Sequence, residues 1–264
     1  MKILVVIRQV PDSTTTIKIR ADHQDIERTG VKMDLNPFDE FAIEQGVQLK
    51  EKRKDVESVT ALIIGSAKAA ESLRKALAVG CDDGIHLEDE TFDKLDELQT
   101  AAAIAAVTGD GGYDLVLIGK QEIDLDSGQL GPALAELLDR PHVGATVKLT
   151  LADDGKSCVA HRRIEGAEEV VNLPLPALLT CDKGLCEMRY PSLPNLMKAK
   201  KKPVKVVKAT EIATLAEATA RLGGTTMREF QLPPERPPGK LIDGEPEVAA
   251  KELVRLLREE AKAI

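Results

Sequence analysis

Residues 115–137, LVLIGKQEIDLDSGQLGPALAEL, contain the pattern that decides the predicted fold. An apolar run from Leu115 to Ile118 ends at Gly119, a polar loop follows, and a helical pattern begins near Ser127. Short runs of Val, Ile and Leu that end in polar loops are typical of strands buried on both faces of a parallel sheet. This stretch therefore predicts one strand–loop–helix unit of a layered α/β fold.

The same unit recurs towards the N-terminus. Apolar runs at Ile3–Ile7 and Val59–Ile64 predict two further buried strands, and helical patterns cover residues 36–52, 69–80 and 96–109. The first of these helices has Asn36 as its N-cap with Pro37 at its first position, and Gly80 ends the second. The alternation predicts a doubly wound, mostly parallel α/β sheet with ligands at the carboxyl ends of the strands.

The pattern changes after residue 144. Residues 145–164 alternate polar and apolar residues and predict a hairpin that turns at Asp154 and Gly155, and residues 168–180 predict two more short strands that complete the sheet or add an antiparallel edge. After Cys181 the chain is rich in proline and poor in periodic signal until a final helix from Pro246 to about Lys262. We therefore predict a nucleotide-binding domain at 1–182 and a long, partner-wrapping arm at 183–264 that is poorly ordered when alone.

Composition argues against several classes of protein. The 264 residues carry a formal net charge of −8 and include two Tyr, four Phe and no Trp, which disfavours nucleic-acid binding. No stretch approaches the roughly 20 apolar residues of a membrane span, and the N-terminal apolar run is too short for a signal peptide. Four cysteines without C-x-x-C spacing favour packing roles over a zinc site. We expect a cytoplasmic protein that does not insert into membranes.

The loop after Gly119 is the first candidate binding site. Small residues at Gly128 and Gly131 at the start of a helix would let a phosphate group approach free backbone N–H groups. The stretch matches neither a Walker A loop nor a G-x-G-x-x-G fingerprint. The alternative is that Asp126 or Ser127 is only an N-cap and that the glycines serve close packing. Because residues 35–40 and 63–68 end or begin elements at the same sheet edge, three loops could surround one adenosine.

Residues 189–203, RYPSLPNLMKAKKKP, form the second candidate site. They predict a short helix that begins at Ser192 and Pro194 and ends before Pro203, with Leu196 and Met197 as its anchors to the body of the protein. Leu193 would project from the entry turn inside a ring of positive charge formed by Lys198, Lys200, Lys201 and Lys202. An apolar anchor with a cationic rim is a design for docking on an acidic partner. The alternative is a solvated lysine face with Leu193 buried against its own chain.

Four segments together give the chain a strong resemblance to β subunits of electron transfer flavoprotein: NPFDEFAIEQGVQLKEK, DLVLIGKQEIDLDSGQLG, NLPLPALLTCD and RYPSLPNLMKAKKKP. The resemblance implies a Rossmann-type fold similar to that of adenine nucleotide alpha hydrolases. It also implies a heterodimer with an α subunit that holds most of an FAD. It implies a carrier of electrons from flavoprotein dehydrogenases, such as the acyl-CoA dehydrogenases of fatty acid oxidation, to a quinone oxidoreductase. The β subunit of this family is not itself an enzyme, and it is cytoplasmic or, in eukaryotes, lies in the mitochondrial matrix.

The resemblance also implies site residues. A structural AMP would contact Val6, Asn36, Pro37, Phe38, Asp39, Ile64, Gly65, Asp124, Leu125, Asp126, Ser127, Gly128, Gln129, Leu130 and Gly131. Leu193 would be the anchor of the recognition loop that docks on dehydrogenases, and Lys198 and Lys201 match lysines that are methylated in some members. No catalytic or metal-binding residue is implied.

Three alternatives remain open at this point. Electron-bifurcating relatives hold a second FAD in place of AMP, and the sequences RQVPDS and GQLGP lean towards their pattern. A stand-alone adenine-nucleotide hydrolase or transferase would need a metal-held triphosphate and a base, for which Asp124 and Asp126 are the only acidic candidates. A purely structural subunit would have an empty pocket.

Overall fold

The computed structural model describes residues 1–109, 111–212, 215, 224–236 and 238–264. In chain order its strands are β1 (Lys2–Ile7), β2 (Gln9–Pro11), β3 (Met33–Leu35), β4 (Ser58–Gly65), β5 (Asp83–Glu88), β6 (Leu115–Gly119), β7 (His142–Leu151), β8 (Ser157–Ile164), β9 (Ala167–Pro174), β10 (Ala177–Cys181) and β11 (Val204–Lys208). The α-helices of these residues are α1 (Pro37–Lys52), α2 (Ala70–Val79), α3 (Glu97–Thr108), α4 (Leu130–Leu137), α5 (Leu193–Ala199) and α6 (Pro246–Glu259). Short 3₁₀ turns cover Ala67–Ala69, Glu90–Lys94 and Ala209–Glu211.

The main sheet has nine strands in the order β11-β5-β4-β1-β6-β10-β7-β8-β9. Neighbours from β11 to β7 pair in parallel, and β7-β8 and β8-β9 pair antiparallel. The predicted doubly wound, mostly parallel sheet with an antiparallel edge is confirmed. Of the two strands predicted in residues 168–180, β10 completes the parallel sheet between β6 and β7, and β9 adds the antiparallel edge.

Successive residues of β1 build two separate hydrophobic cores because side chains alternate across a strand. Ile3 and Val5 belong to a core that includes Ile43 of α1 and Leu73 of α2. Leu4 and Val6 belong to the other core, with residues of α3 and α4. Helices therefore cover both faces of the sheet, which explains why β1 is apolar at every position from Ile3 to Ile7.

The helix ends follow local rules. Asp96 caps α3 through the N–H of Gln99, and the Gln99 side chain accepts from the N–H of Asp96, which is a capping box. Helix α2 ends at Gly80, as predicted, with φ +159°. A Cβ at Gly80 would lie 2.7 Å from a Val47 methyl carbon, so this close approach of α1 and α2 requires glycine.

Strand β5 was not predicted from the sequence. Its residues, DGIHLE, place only Ile85 and Leu87 in an apolar alternation between polar residues. Strand β11 pairs with β5 at the sheet edge, so residues after 182 also contribute to the sheet. The domain boundary at residue 182 stays a prediction. Of the predicted arm, residues 213, 214, 216–223 and 237 lie outside the described residues.

The final helix is shorter than predicted and ends at Glu259. Its apolar residues Val248, Leu253 and Val254 are exposed. Among the described residues, no helix combines the length and apolar character that crossing a bilayer requires.

Candidate functional site

The predicted binding residues gather at the carboxyl ends of β1, β4 and β6. Val6 pairs with Leu62 of β4 and Ile118 of β6, and it shares one buried core with Ile64 and Leu130. Gly65 ends β4 with φ +147°. The three loops that the sequence placed at this edge therefore do belong to one edge of the sheet.

Asp39, in the first turn of α1, joins two of these strands. Its side chain is buried, and its carboxylate oxygens accept hydrogen bonds from the backbone N–H of Arg8 at 2.7 Å and of Gly119 at 2.9 Å. Burial raises the pKa of Asp39 to about 7, although these hydrogen bonds act in the opposite direction. A Cβ at Gly119 would lie 2.2 Å from Asp39 Oδ1. Position 119 therefore requires glycine, because any side chain there would collide with the Asp39 carboxylate.

Asn36 occupies the N-cap position of α1 but does not cap the helix with its side chain. Its amide instead donates to the carbonyl of Gln121 at 3.0 Å and accepts from the N–H of Ile123 at 3.3 Å. Its own N–H donates to the carbonyl of Arg8. Asn36 therefore holds the loop after β6 against the start of α1, a role that its capping pattern did not reveal.

Helix α4 begins at Leu130, three residues later than predicted. Asp126 and Gly128 adopt positive φ, +55° and +63°, so the chain is not helical there. The interpretation of Asp126 or Ser127 as an N-cap is wrong, since Gln129 is the N-cap residue and has no side-chain cap bond.

The loop presents its backbone at the start of α4. Within the part of the chain that the structure describes, the N–H groups of Gly128, Leu130 and Gly131 donate no hydrogen bond to a protein acceptor. The N–H of Gln129 donates to Glu97 Oε2 at 3.0 Å. Asp124, Asp126 and Ser127 are exposed and Leu125 is half-buried. Free N–H groups at a helix start suit an anionic group.

A buried charged cluster lies behind this loop and was missed from the sequence. Arg8 is 3.7 Å from the Glu122 carboxylate, and Glu122 contacts the buried Glu97 of α3. Burial raises the pKa of Glu122, the nearby carboxylates of Glu97 and Asp39 add to this, and Arg8 opposes it. Burial beside other carboxylates therefore favours the neutral form of the Glu122 side chain. No local sequence signal links residues 97 and 122.

Pro37 and Phe38 lie at the mouth of this edge. Pro37 is exposed, and Phe38 is half-buried with Lys120 Nζ 5.5 Å from its ring centroid. Pro37 also lines a small cleft of about 130 Å³ together with Ile123. A larger cleft of about 490 Å³ opens between β3 and α2, and none of the predicted site residues lines it.

The predicted helix of the second site is present as α5. Ser192 caps it through the N–H of Asn195, and Leu193 is 74% exposed. The alternative of a Leu193 buried against its own chain is therefore wrong. The predicted anchors are also wrong, because Leu196 and Met197 are exposed. Ala199 is the buried residue of this helix, since a small side chain allows the helix to approach α2 closely.

Only three of the four lysines predicted to surround Leu193 are exposed. Lys198, Lys200 and Lys201 are exposed, whereas the Lys202 ammonium donates to the carbonyls of Leu77 at 2.9 Å and Cys81 at 2.5 Å. Lys202 therefore turns inward to the end of α2 and anchors the segment.

The four cysteines are free thiols, three of them buried, as expected for packing residues. Among the described residues, no group of three or more His, Cys, Asp or Glu side chains is arranged to hold a metal ion.

Comparisons with known proteins agree on one family. Residues 25–212 match the family model described as the electron transfer flavoprotein domain. The chain is 41% identical over 266 residues, covering all of both sequences, to the electron transfer flavoprotein subunit beta of Bacillus subtilis (strain 168). It is 37% identical over 253 residues to the human protein of that name, covering 95% of this chain and 96% of the relative. The mitochondrial electron transfer flavoprotein subunit beta of Arabidopsis thaliana is 34% identical over the full length of both.

Proposed function

The chain belongs to the electron transfer flavoprotein family, as a β subunit. We propose the following role for it in electron transfer. It pairs with an α subunit that holds most of an FAD, it accepts electrons from flavoprotein dehydrogenases such as acyl-CoA dehydrogenases, and it passes them to a quinone oxidoreductase. The chain acts as a carrier subunit and not as an enzyme, in the cytoplasm or, in a eukaryote, in the mitochondrial matrix. The arm at 183–264 wraps the α subunit, and the exposed apolar residues of α6 support this.

The chain's own nucleotide is AMP, bound at the carboxyl edge of the sheet. The observation that carries this proposal is the free N–H groups of Gly128, Leu130 and Gly131 at the start of α4, which fit a single phosphate group. The Asp39 and Asn36 hydrogen bonds hold the surrounding loops in place. Residues 36–39, Val6, Ile64 and Gly65 would then surround the adenosine. This nucleotide has a structural role.

The flavin supplies the electron chemistry when it is bound. FAD can accept and release electrons, and the residues of this chain contribute to its site from the β side of the interface. Their part is to orient the flavin and exclude water, together with the α subunit.

Cofactor content tests the proposal. The chain is co-expressed with its α subunit, the purified complex is denatured, and released FAD and AMP are quantified per heterodimer. We expect one FAD and one AMP. Two FAD and no AMP would instead make this edge of the sheet the site of a bifurcating flavin, the runner-up suggested by RQVPDS and GQLGP. No nucleotide beyond one FAD would favour an empty, purely structural pocket, and ATP turnover by the complex would favour a nucleotide hydrolase.

The docking part has its own test. Leu193 projects into solvent beside Lys198 and Lys201, so its truncation removes the apolar contact while the cationic rim remains. We expect Leu193→Ala to raise the KM of an acyl-CoA dehydrogenase for the heterodimer about tenfold or more. The matched control is Val170→Ala, an exposed apolar residue on β9, which should leave the KM unchanged. Equal KM values for wild type and Leu193→Ala would contradict the docking role.

A further inference from the structure

The segment that leads into α5 lies along α1. The thiol of Cys186 donates to the carbonyl of Phe41 at 3.5 Å, and Arg189 reaches Glu44 and Glu51. Phe41, Glu44 and Glu51 are spaced by three and seven residues and therefore lie on one face of the helix. Residues 186–189 thus follow a single stripe of α1.

Arg189 is bound on both of its edges. Its Nε donates to Glu44 Oε2 at 2.8 Å and one terminal nitrogen donates to Glu44 Oε1 at 2.8 Å, while its two terminal nitrogens bond Glu51 at 2.6 and 2.7 Å. Glu44 is buried and also accepts from the Gln48 amide at 2.8 Å. Two bidentate contacts on one guanidinium fix its plane as well as its position.

The far end of α5 is held on a different helix. Arg74 of α2 donates to the carbonyls of Ala199 at 2.8 Å and Lys202 at 3.1 Å, and the Lys202 ammonium donates to the carbonyl of Leu77 in α2. Between these two attachments, residues 193–198 are all exposed. Ion pairs and hydrogen bonds of charged side chains at its two ends therefore position this helix, and most of its own side chains remain exposed.

We propose that Arg189 is a positioning residue for docking, which fixes the entry to α5 so that Leu193 is presented to a dehydrogenase in one orientation. This inference rests on the proposed docking role of Leu193. A helix of seven residues is marginal alone, so an unattached segment would have to order itself during each encounter. Ordering the segment in advance removes that entropic cost from binding.

Two variants separate positioning from charge. Arg189→Lys keeps the positive charge but loses the planar fork, and Arg189→Gln loses both. A positioning role predicts that both variants raise the KM of the dehydrogenase for the heterodimer. A role in steering acidic partners predicts that Arg189→Lys has the wild-type KM. Lys156→Gln, which removes an exposed charge in the turn between β7 and β8, is the control for net charge.

The experiment uses the heterodimer with an acyl-CoA dehydrogenase reduced by its acyl-CoA substrate. We expect Arg189→Gln and Arg189→Lys each to raise the KM for the heterodimer about five- to tenfold at unchanged kcat, with Lys156→Gln equal to wild type. Amide exchange of residues 189–200 should become about tenfold faster in both Arg189 variants. Added to Leu193→Ala, Arg189→Gln should raise the KM by less than about twofold, since there is then no leucine to position.

Three results would overturn the inference. These are a wild-type KM in Arg189→Lys, unchanged amide exchange over residues 189–200, and a full additional effect of Arg189→Gln on top of Leu193→Ala. Failure of the docking proposal has a different signature, because Leu193→Ala would then itself leave the KM unchanged.

Discussion

Helix α1 supports two regions that are built in opposite ways. At its first turn, Asn36 and Asp39 are buried and hold backbone groups of two other segments through short hydrogen bonds. Further along, Glu44 and Glu51 hold Arg189, and the segment that follows exposes Leu193 to solvent. The first region is thus fixed by buried polar atoms. The second region, residues 186–202, which we call the recognition segment for its proposed docking role, is fixed by ion pairs and exposes an apolar side chain.

The difference shows that a side chain kept exposed for a partner must be positioned by its neighbours. A group that must stay available for a partner cannot contribute the free energy of its own burial, which is about 1.5–3 kcal/mol for a leucine. Its position has to come from neighbouring polar contacts. Substitutions at the two regions should therefore separate stability from docking.

The largest effect is expected where the first turn of α1 meets β6. Gly119→Ala places a Cβ 2.2 Å from Asp39 Oδ1, so β6 or α1 must move and the hydrogen bond from the N–H of residue 119 to the buried carboxylate is lost. We expect the free energy of unfolding to fall by about 3 kcal/mol or more, with loss of bound AMP. Thermal and urea denaturation of the heterodimer would measure this. Gly239→Ala, with nothing within 4 Å of the added Cβ, is the matched control. Equal stabilities of the two variants would show that the close contact at Gly119 is not fixed.

A smaller effect should distinguish two neighbouring lysines of the recognition segment. Lys202→Met leaves the carbonyls of Leu77 and Cys81 without their donor and should lower stability by about 1–2 kcal/mol. Lys201→Met removes an exposed charge, so it should change stability by less than about 0.5 kcal/mol while weakening docking at low ionic strength. Denaturation measures the stability of both variants, and the KM for the heterodimer at two salt concentrations measures docking. A stability loss in Lys201→Met as large as in Lys202→Met would erase the distinction.

The smallest effect concerns pH. Burial raises the folded-state pKa values of Asp39 and Glu122, so the folded state binds these protons more tightly than the unfolded chain. Their contribution to stability is complete below the unfolded pKa near 4 and is lost as pH rises through the folded values. We therefore expect the unfolding free energy to fall as pH rises from about 4 to about 8, and Glu122→Gln, which stays neutral, to reduce this fall by about 1 kcal/mol or more.

Denaturation curves at several pH values measure how the unfolding free energies of wild type and Glu122→Gln change with pH. The contributions of other titrating groups cancel in the difference between the two proteins. Glu247→Gln, an exposed carboxylate on α6, is the control and should leave the pH dependence unchanged. An identical slope for wild type and Glu122→Gln would mean that Glu122 is ionised in the folded protein.

Much of the fold could be predicted because its signals are local. The apolar runs of β1, β4 and β6, the proline and glycine at the ends of α1 and α2, and the hairpin at Gly155 were all predicted. Strand β5 was missed because only two of its six residues, Ile85 and Leu87, are large and apolar, and polar residues separate and flank them. The start of α4 was placed too early because positive φ at Asp126 is set by the loop and has no sequence signature of its own. Which nucleotide the edge binds stays a prediction.

The layered sheet and the edge at which its loops meet follow from local sequence patterns, because hydrophobic period, caps and breakers act over a few residues. The exposure of Leu193 and the pairing of polar groups depend on tertiary packing. Asp39 and Gly119, Glu97 and Glu122, and Glu44 and Arg189 are far apart in sequence, and Lys202 differs from Lys201 only in what lies beside it. A polar contact forms only within hydrogen-bond distance, so its partner is defined once packing has brought distant segments together.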